Sequence, residues 1–389
     1  MKPEETKNPD DLNGLRQSID AIDRDLIHLF NERMALAHRI AHVKKDSCAS
    51  IFVPAREQEN IERALRKVDK RQARRADSFL RSLMRLSRSV QYEDLIEAGA
   101  DFDPGRLLRE TLPVWPDVRR VITQGSAGAY SEQAGAILFP DATPIRAATF
   151  AEACDRVRDK TADVAVLPLE NSTAGTVDDV YALLLKDQLY IWRSLSLPIR
   201  HHLLALPGSS TESIETVLSH PQALAQCSDF IRRKGWSVRE TLNTAYAAEQ
   251  VAGSGDCSLA AIASLTAAQA TGLAILGSDI NDTSGNQTRF IVVGREFVVT
   301  PDAERISLII KLPHTIGALA STLAIFSDSG LNLSKIQSRP DIDNPWAYIF
   351  YLDFECRRQD LQRALATLYQ LACEMPFLRL LGWYGEVRP

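Results

Sequence analysis

The chain has 389 residues, 45% hydrophobic and 24% charged, with a net charge of −5 and six cysteines. That is an ordinary soluble globular composition for roughly two or three domains, and its mild acidity argues against a general nucleic-acid surface. Cys48, Cys154, Cys227, Cys257, Cys356 and Cys373 are too scattered for a zinc ligand set or a disulfide framework. The opening MKPEETKNPDDLNG lacks a signal-peptide core, and no segment is long and apolar enough to span a bilayer, so a cytoplasmic protein without a membrane partner is expected.

Residues 12–97 read as helical. Leu12, Leu15, Ile19, Ile22, Leu26 and Leu29 alternate steps of three and four, and the stripe resumes at Leu36, Ile40 and Val43. One helix is predicted from about Leu12 to Lys45, roughly 50 Å long. A second starts near Ala55 and a third covers about 77–97. A long helix with one apolar face cannot bury it alone, so an intertwined dimer is expected.

Arg33 occupies an apolar slot of that stripe. A polar residue in a helical seam can simply fix register. Lys44, however, lies about three turns further on and points within roughly 20° of Arg33. Two inward cations call for an anion, because an unpaired buried charge is costly. Arg16 lies roughly 100° away and faces a different site, as expected of a residue serving the partner chain. Arg56 and Glu57 open the second helix, while Ser87 and Gln91 share a face of the third. These residues offer many fixed donors, one carboxylate and no obvious nucleophile, which suits orientation and electrostatic stabilisation.

The runs LRQSIDAIDRDLIHLFNERMALAHRIAHVKK, PAREQENI and SRSVQ resemble the all-helical chorismate mutase family over about the first hundred residues. The resemblance implies rearrangement of chorismate to prephenate in an entwined homodimer. It implies that Arg33, Lys44 and Arg56 of one chain, with Arg16 of the other, clamp the carboxylates and the ether oxygen. Glu57 and Gln91 then contact the hydroxyl and the ether oxygen, and Ser87 helps bind a carboxylate. Val53 stands where some members carry aspartate.

AGADFDPGRLLRETLPVWPD, with its prolines and glycines, reads as a linker. From Val118 to about Val299, short apolar strands alternate with helices, which predicts an α/β region with ligands at strand-end loops. GSAGAYSEQAG is a glycine-rich turn into a helix with Ser131 as candidate N-cap, and PLENSTAGTVDDVY offers Thr176 as a second cap. Two anion-binding helix starts suit a small dicarboxylate, although ordinary capping accounts equally for either loop. SHPQALAQC supplies Ser219, His220, Gln222 and Gln226, LNTAYAAEQ supplies Asn243 and Thr244, and GNQTRF places Thr288 and Arg289 at the mouth of a strand. His220 is either a general base or a loop histidine holding backbone.

GSAGAYSEQA, PLENSTAGTVDDVY, SHPQALAQC and NQTRF resemble, in order, the landmarks of prephenate dehydratases over about 118–297. The resemblance implies two α/β lobes like type II periplasmic binding proteins, with the site in the cleft between them. Prephenate loses its ring hydroxyl and carboxylate to give phenylpyruvate, without cofactor or metal because aromatisation drives the reaction. Thr288 matches the residue thought to protonate the departing hydroxyl, assisted by Arg289 or a helix dipole. Glu170, Asn171, Ser219 and Gln226 match polar residues lining the cleft. Leu242 replaces an acidic residue of some members, and Ser126 a frequent proline.

From Glu304 the order strand, helix, strand, strand, helix, strand suggests a ferredoxin-like module. HTIGALASTLAIFSDSGLNLSKIQSRP and NPWAYIFYLDFE resemble the ACT regulatory domain. That resemblance implies L-phenylalanine as effector at a dimer interface, held by Gly317, Ala318, Leu319, Asn332, Gln337, Ser338 and Arg339, with Gln337 in place of the usual glutamate. A purely structural dimerisation module is the plain alternative.

The expected fold is therefore multi-domain: an all-α entwined dimeric domain (1–100), a linker (101–117), a two-lobed α/β domain like periplasmic binding proteins (118–297), and an α+β ferredoxin-like ACT domain (303–389). The expected function is a bifunctional enzyme of phenylalanine biosynthesis, feedback-inhibited by L-phenylalanine, homodimeric with further assembly left open. Two alternatives stand beside it: a dehydratase preferring arogenate, and a cytosolic amino-acid-binding regulator with a helical dimerisation arm.

Overall fold

The computed structural model describes residues 12–47, 49–341, 344 and 347–388; the N-terminal reading on residues 1–11, Cys48, and the Pro345–Trp346 step of NPWAYIFYLDFE lie outside them. The chain divides into two compact units. One holds the chain through Leu108, Ile310–Phe350 and Gln359–Leu378; the other holds Arg109–Ile309, Tyr351–Arg358 and the chain from Arg379.

Three helices begin the chain: α1 (Leu12–Ser47), α2 (Pro54–Leu65) and α3 (Ala73–Glu97). Pro54 fits the first turn of α2, where its missing N–H is no loss. The stretch expected as linker carries a fourth helix, α4 (Asp103–Glu110). Asp103 and Pro104 are suited to a helix start, and burial of Leu108 fixes the turn, so the prolines and glycines punctuate this segment rather than dissolve it.

The α/β part follows as β1 (Arg120–Gln124), α5 (Tyr130–Leu138), β2 (Thr143–Ala147), α6 (Phe150–Arg158), β3 (Val164–Asn171), β4 (Gly175–Thr176), α7 (Asp178–Lys186) and β5 (Tyr190–Pro198). It continues with β6 (His202–Ala205), β7 (Thr216–Ser219), α8 (Pro221–Gln226), α9 (Ser228–Lys234), β8 (Ser237–Glu240), α10 (Thr244–Ser254), β9 (Leu259–Ala263), α11 (Leu265–Thr271), β10 (Ala274–Gly277) and β11 (Gln287–Gly294). The last module is β12 (Arg305–Lys311), α12 (Ala318–Asp328), β13 (Leu333–Pro340), β14 (Tyr348–Glu355), α13 (Leu361–Glu374) and β15 (Phe377–Val387), the βαββαβ order read from sequence.

In the first unit α3 is the central helix. It packs against α1 and α2 on one side and α12 and α13 on another. The edge of the Tyr92 ring meets Tyr369 of α13 with centroids 5.5 Å apart. By contrast α1 is buried only at Ala37 and Ala41. Leu12, Leu15, Ile19, Ile22, Leu26 and Leu29 remain 45–65% exposed, so the apolar stripe is not covered by this chain's described residues.

The second unit has two lobes. One is a mixed sheet in the order β2-β1-β3-β11-β5, with β15 running parallel to β5. The other is a five-stranded sheet, β10-β6-β9-β7-β8. Each buries aliphatic strand residues under helices, Val164, Val166 and Val292 in the first and Leu203, Val217 and Ile262 in the second. Among the described residues no helix is long and apolar enough to cross a membrane.

The lobes meet at the GSAGAY turn. Ser264 and Thr266 both donate to the Gly128 carbonyl, at 2.7 and 2.9 Å. Gly128 has φ +79°, and a Cβ there would lie 2.5 Å from the Ala267 backbone. Gly128→Ala should therefore destabilise the protein by roughly 1–3 kcal/mol through overpacking and a left-handed backbone. A lowered urea midpoint checks this, and an unchanged midpoint contradicts it.

Candidate functional sites

The helical part of the first unit encloses a cavity of about 460 Å³ lined by Arg33, Lys44, Arg56, Glu57, Ser87 and Gln91, together with Arg88. Arg33 Nη1 donates to the Leu83 carbonyl at 2.8 Å and to Ser87 Oγ. Lys44 Nζ donates to the Ile51 carbonyl at 2.9 Å. Among the described residues neither forms an ion pair. Burial lowers the Arg33 pKa against a raising pull from Glu57. Burial also lowers that of Lys44, with Arg56 adding repulsion and Glu57 opposing. Both cations sit in a field that an incoming anion would relieve.

Gln91 Nε2 donates to the Ser87 carbonyl at 2.8 Å, while its Oε1 is buried without a partner. Leaving a buried acceptor unpaired costs about 1–3 kcal/mol. Arg16 lies exposed and outside this lining, on the uncovered part of α1. Sequence reading missed Arg88, whose Nη1 lies 2.6 Å from both carboxylate oxygens of Glu57.

In the second unit a cavity of about 180 Å³ is lined by Gly125, Tyr130, Asn171, His201, His220, Gln226, Asn243 and Thr288, among others. Asn171 is its hub. Its side-chain carbonyl accepts from Thr173 N at 3.0 Å and Ala174 N at 2.9 Å. Its amide donates to Asn286 Oδ1 at 2.8 Å and to Thr288 Oγ1 at 2.9 Å. Because the amide is the donor in that last bond, the Thr288 proton is left for another acceptor.

Arg289 does not assist Thr288 directly. Neighbouring strand residues point to opposite faces, and Arg289 is buried away from the cavity. It donates to Asp353 at 2.7 Å, to Tyr384 Oη at 2.8 Å and to Glu170 at 3.2 Å. Burial opposes its charge, but Tyr384, Asp353 and Glu170 hold its pKa well above the ordinary value. Glu170 is engaged on that face, and Ser219 is wholly buried with its hydroxyl donating to the Ile262 carbonyl at 2.6 Å. Neither lines the cavity.

Two capping expectations are corrected. Ser131 lies inside α5, whose N-cap is Ala129 without a side-chain cap, so the first turn of α5 brings bare N–H groups to the cavity rim. Thr176 sits in β4 and donates to Asp178 at 3.2 Å, while Val177 caps α7. The α7 start does not line the cavity. The side chains of His220 and Asn243 cap α8 and α10, accepting from Gln222 N at 3.3 Å and Tyr246 N at 2.8 Å. Burial lowers the His220 pKa, with Glu240 opposing.

His201, not singled out from sequence, also lines the cavity. Its Nε2 lies 2.9 Å from Gln226 Oε1 and its Nδ1 3.0 Å from Tyr130 Oη. Burial lowers its pKa, with the Gln226 hydrogen bond opposing and His202 lowering it further. A neutral ring with Nε2–H donates to Gln226 Oε1, while the Tyr130 hydroxyl gives its single proton to the Arg200 carbonyl at 2.6 Å.

In the first unit Gly317 (φ +78°) caps α12, so Gly317, Ala318 and Leu319 form its start. Asn332 precedes β13, which carries Gln337, Ser338 and Arg339. Gln337 Nε2 donates to the Ser338 carbonyl at 3.2 Å.

A helical pocket for an anion, a polar cleft in the two-lobed unit and a ferredoxin-like module define a multidomain enzyme with two active sites and a regulatory domain. Family models match in the same order: chorismate mutase type II over 15–92, prephenate dehydratase over 121–297 and the ACT domain over 306–373. The bifunctional chorismate mutase/prephenate dehydratase of Neisseria gonorrhoeae is 32% identical, covering 95% of each chain. An Arabidopsis thaliana arogenate dehydratase/prephenate dehydratase is 38% identical over 68% of this chain and 71% of its own. The Arthrobacter aurescens prephenate dehydratase in complex with L-Phe matches with a TM-score of 0.63 at 30% identity, over 68% of this chain and 89% of its own.

The chain belongs to the bifunctional chorismate mutase/prephenate dehydratase family of phenylalanine biosynthesis, with an ACT domain.

The lowered Lys44 pKa gives a signed pH prediction. The ammonium is present below that pKa and lost above it, so mutase kcat/KM should fall in an alkaline arm starting below the ordinary 10.5. Lys44→Arg should move that arm upward. A pH profile unchanged by the substitution contradicts this role.

Proposed function

We propose that the chain rearranges chorismate to prephenate in the helical pocket and converts prephenate to phenylpyruvate in the α/β cleft. The proposed domains are 1–100, 118–297 and 303–389, with 101–117 joining the first two. The observation that carries this reading is the pocket in which Arg33, Lys44 and Arg56 gather beside one carboxylate, Glu57. A dianion with an ether oxygen suits that set, and a dimerisation seam would be more stable with apolar residues there.

In the mutase step one C–O bond breaks and one C–C bond forms within the substrate. Arg33, Arg56, Ser87 and the partner's Arg16 hold the carboxylates. Lys44 and Gln91 face the ether oxygen, where negative charge develops, and Glu57 takes the hydroxyl. Gln91 reaches that oxygen by turning its amide, whose nitrogen otherwise donates to the Ser87 carbonyl.

In the dehydratase step the Thr288 proton passes to the departing hydroxyl, which leaves as water. The electron pair of the C–COO⁻ bond flows into the ring and carbon dioxide leaves. The Asn171 amide, 2.9 Å from Thr288 Oγ1, stabilises the charge left on that oxygen. Gln226 and the start of α5 hold the substrate's carboxylates.

L-phenylalanine is the proposed effector at Gly317–Leu319 and Asn332–Arg339, and the proposed location is cytoplasmic. A homodimer covers the exposed stripe of α1 and brings Arg16 to the second pocket. Resemblance to plant arogenate dehydratases makes arogenate the second substrate to try.

Incubation with chorismate should yield prephenate, then phenylpyruvate after a lag. Arg33→Ala should lower mutase turnover roughly a hundredfold or more and spare dehydration of supplied prephenate; Thr288→Ala should do the reverse. Loss of both activities in either folded variant refutes independent sites, and faster turnover of arogenate than prephenate reassigns the second step. Ile22→Lys with Leu26→Lys should shift sedimentation to monomer and remove mutase activity. An active monomer rules out the shared site.

A further inference from the structure

Arg88 was not part of the chemistry read from sequence, yet it joins the mutase pocket to the C-terminal module. Its Nη1 lies 2.6 Å from both carboxylate oxygens of Glu57. Its Nε and Nη2 donate to Glu374, at 2.7 and 3.1 Å. Its guanidinium stacks over Phe52, 4.7 Å from the ring centroid. The Arg88 side chain is 11% exposed and that of Glu374 5%.

Glu374 is an expensive residue where it stands. It is buried, and it is the last residue of α13, where the helix dipole disfavours an anion. Gln370 Nε2 adds a neutral hydrogen bond at 3.0 Å, so the charge of Glu374 is met by Arg88. A fully apolar contact between α3 and α13 would avoid this cost. Two carboxylates therefore share one guanidinium, one facing the pocket and one belonging to the ACT helix.

We propose that Arg88 is a positioning residue for the mutase reaction, fixing the Glu57 carboxylate toward the substrate, and that Glu374 anchors Arg88 from the ACT domain. The mutase pocket is thus completed by a residue nearly three hundred positions away in the chain. Without the anchor, Arg88 is free to fold over Glu57 and take its carboxylate out of line. This inference rests on the reading of Glu57 as a substrate contact.

The test uses the full chain, with mutase and dehydratase assayed separately. Glu57→Gln is the reference and should lower mutase kcat about a hundredfold or more. Arg88→Ala should lower it roughly ten- to a hundredfold with KM changed much less, because a displaced group costs turnover first. Arg88→Lys should recover part of that loss. Glu374→Gln should lower mutase kcat roughly three- to tenfold and leave dehydration of prephenate unchanged.

Arg88→Met with Glu374→Met removes both buried charges and keeps the fold, so it separates positioning from packing. Its mutase kcat should stay low while helix content and dehydratase rate match the parent. Recovery of parental mutase kcat in this double variant would make the pair structural and overturn the proposal. Full activity in Arg88→Ala, alongside a disabled Glu57→Gln, would overturn it as well. Full activity in Glu57→Gln would instead remove the reading of Glu57 on which the proposal stands.

Discussion

An arginine taken out of water must meet an anion, and this chain answers that demand in two ways. Arg88 and Arg289 are paired within the protein, the first by Glu57 and Glu374 and the second by Asp353 and Glu170. Arg33 and Lys44 find only neutral oxygens: the Leu83 and Ile51 carbonyls and the Ser87 hydroxyl. Burial weakens both of these cations. The same side-chain chemistry thus distinguishes scaffold from site. A guanidinium with its carboxylates in place holds elements together, whereas several cations gathered without them around one cavity, as Arg33 and Lys44 are, mark where a ligand's charge belongs; Arg379, a single guanidinium held by the Leu185 and Asp187 carbonyls, is scaffold.

This distinction also decides which residues could be read in advance. Arg33 interrupts a heptad-like stripe, so its oddity is local and visible, and Lys44 follows at a helical interval. The βαββαβ order of the last module is likewise written in short-range periodicity. The partners of Arg88 and Arg289 are not, since Glu374 and Asp353 lie far along the chain and meet them only through tertiary packing. Arg289 was expected to assist Thr288 because the two are adjacent in sequence. Adjacency on a strand places them on opposite faces, and Asn171 from β3, paired across the ladder with Thr288, makes the hydrogen bond instead. Ser131 and Thr176 illustrate a smaller failure. A polar residue near a helix start is a common cap, yet the chain begins each helix one or two residues away from it.

The α/β cleft draws its polarity from backbone as much as from side chains. Asn171 collects two backbone N–H groups of its own turn, which fixes its amide toward Thr288. His201, Gln226, Asn286 and Thr173 form a chain of hydrogen bonds, with Gln226 Oε1 accepting from both His201 and Asn286. Fully satisfied networks of this kind hold their members in one orientation. A threonine hydroxyl is a weak acid, so its usefulness depends on being held still and on a fixed donor for the oxygen it leaves behind. The Asn171 amide at 2.9 Å is such a donor beside Thr288.

The helical pocket poses a different problem, because chorismate and prephenate carry the same two carboxylates. In the proposed reading Arg33, Arg56 and the Arg16 of a second chain clamp those carboxylates, which binds substrate, transition state and product nearly alike and lowers KM without raising kcat. It also slows departure of a product that the second site needs. Acceleration has to come from groups facing the bond that changes, and in the proposed reading these are Lys44, Gln91 and Glu57. Such groups act through placement, since displacement by about 1 Å can cost a hundredfold in rate. The carboxylate of Glu57 is the one among them held by a second charged residue, Arg88, rather than by backbone. A pocket whose binding is secured by many donors but whose rate depends on a few placed atoms is most open to influence at those supports. The charged contact between α3 and α13 lies at one of them.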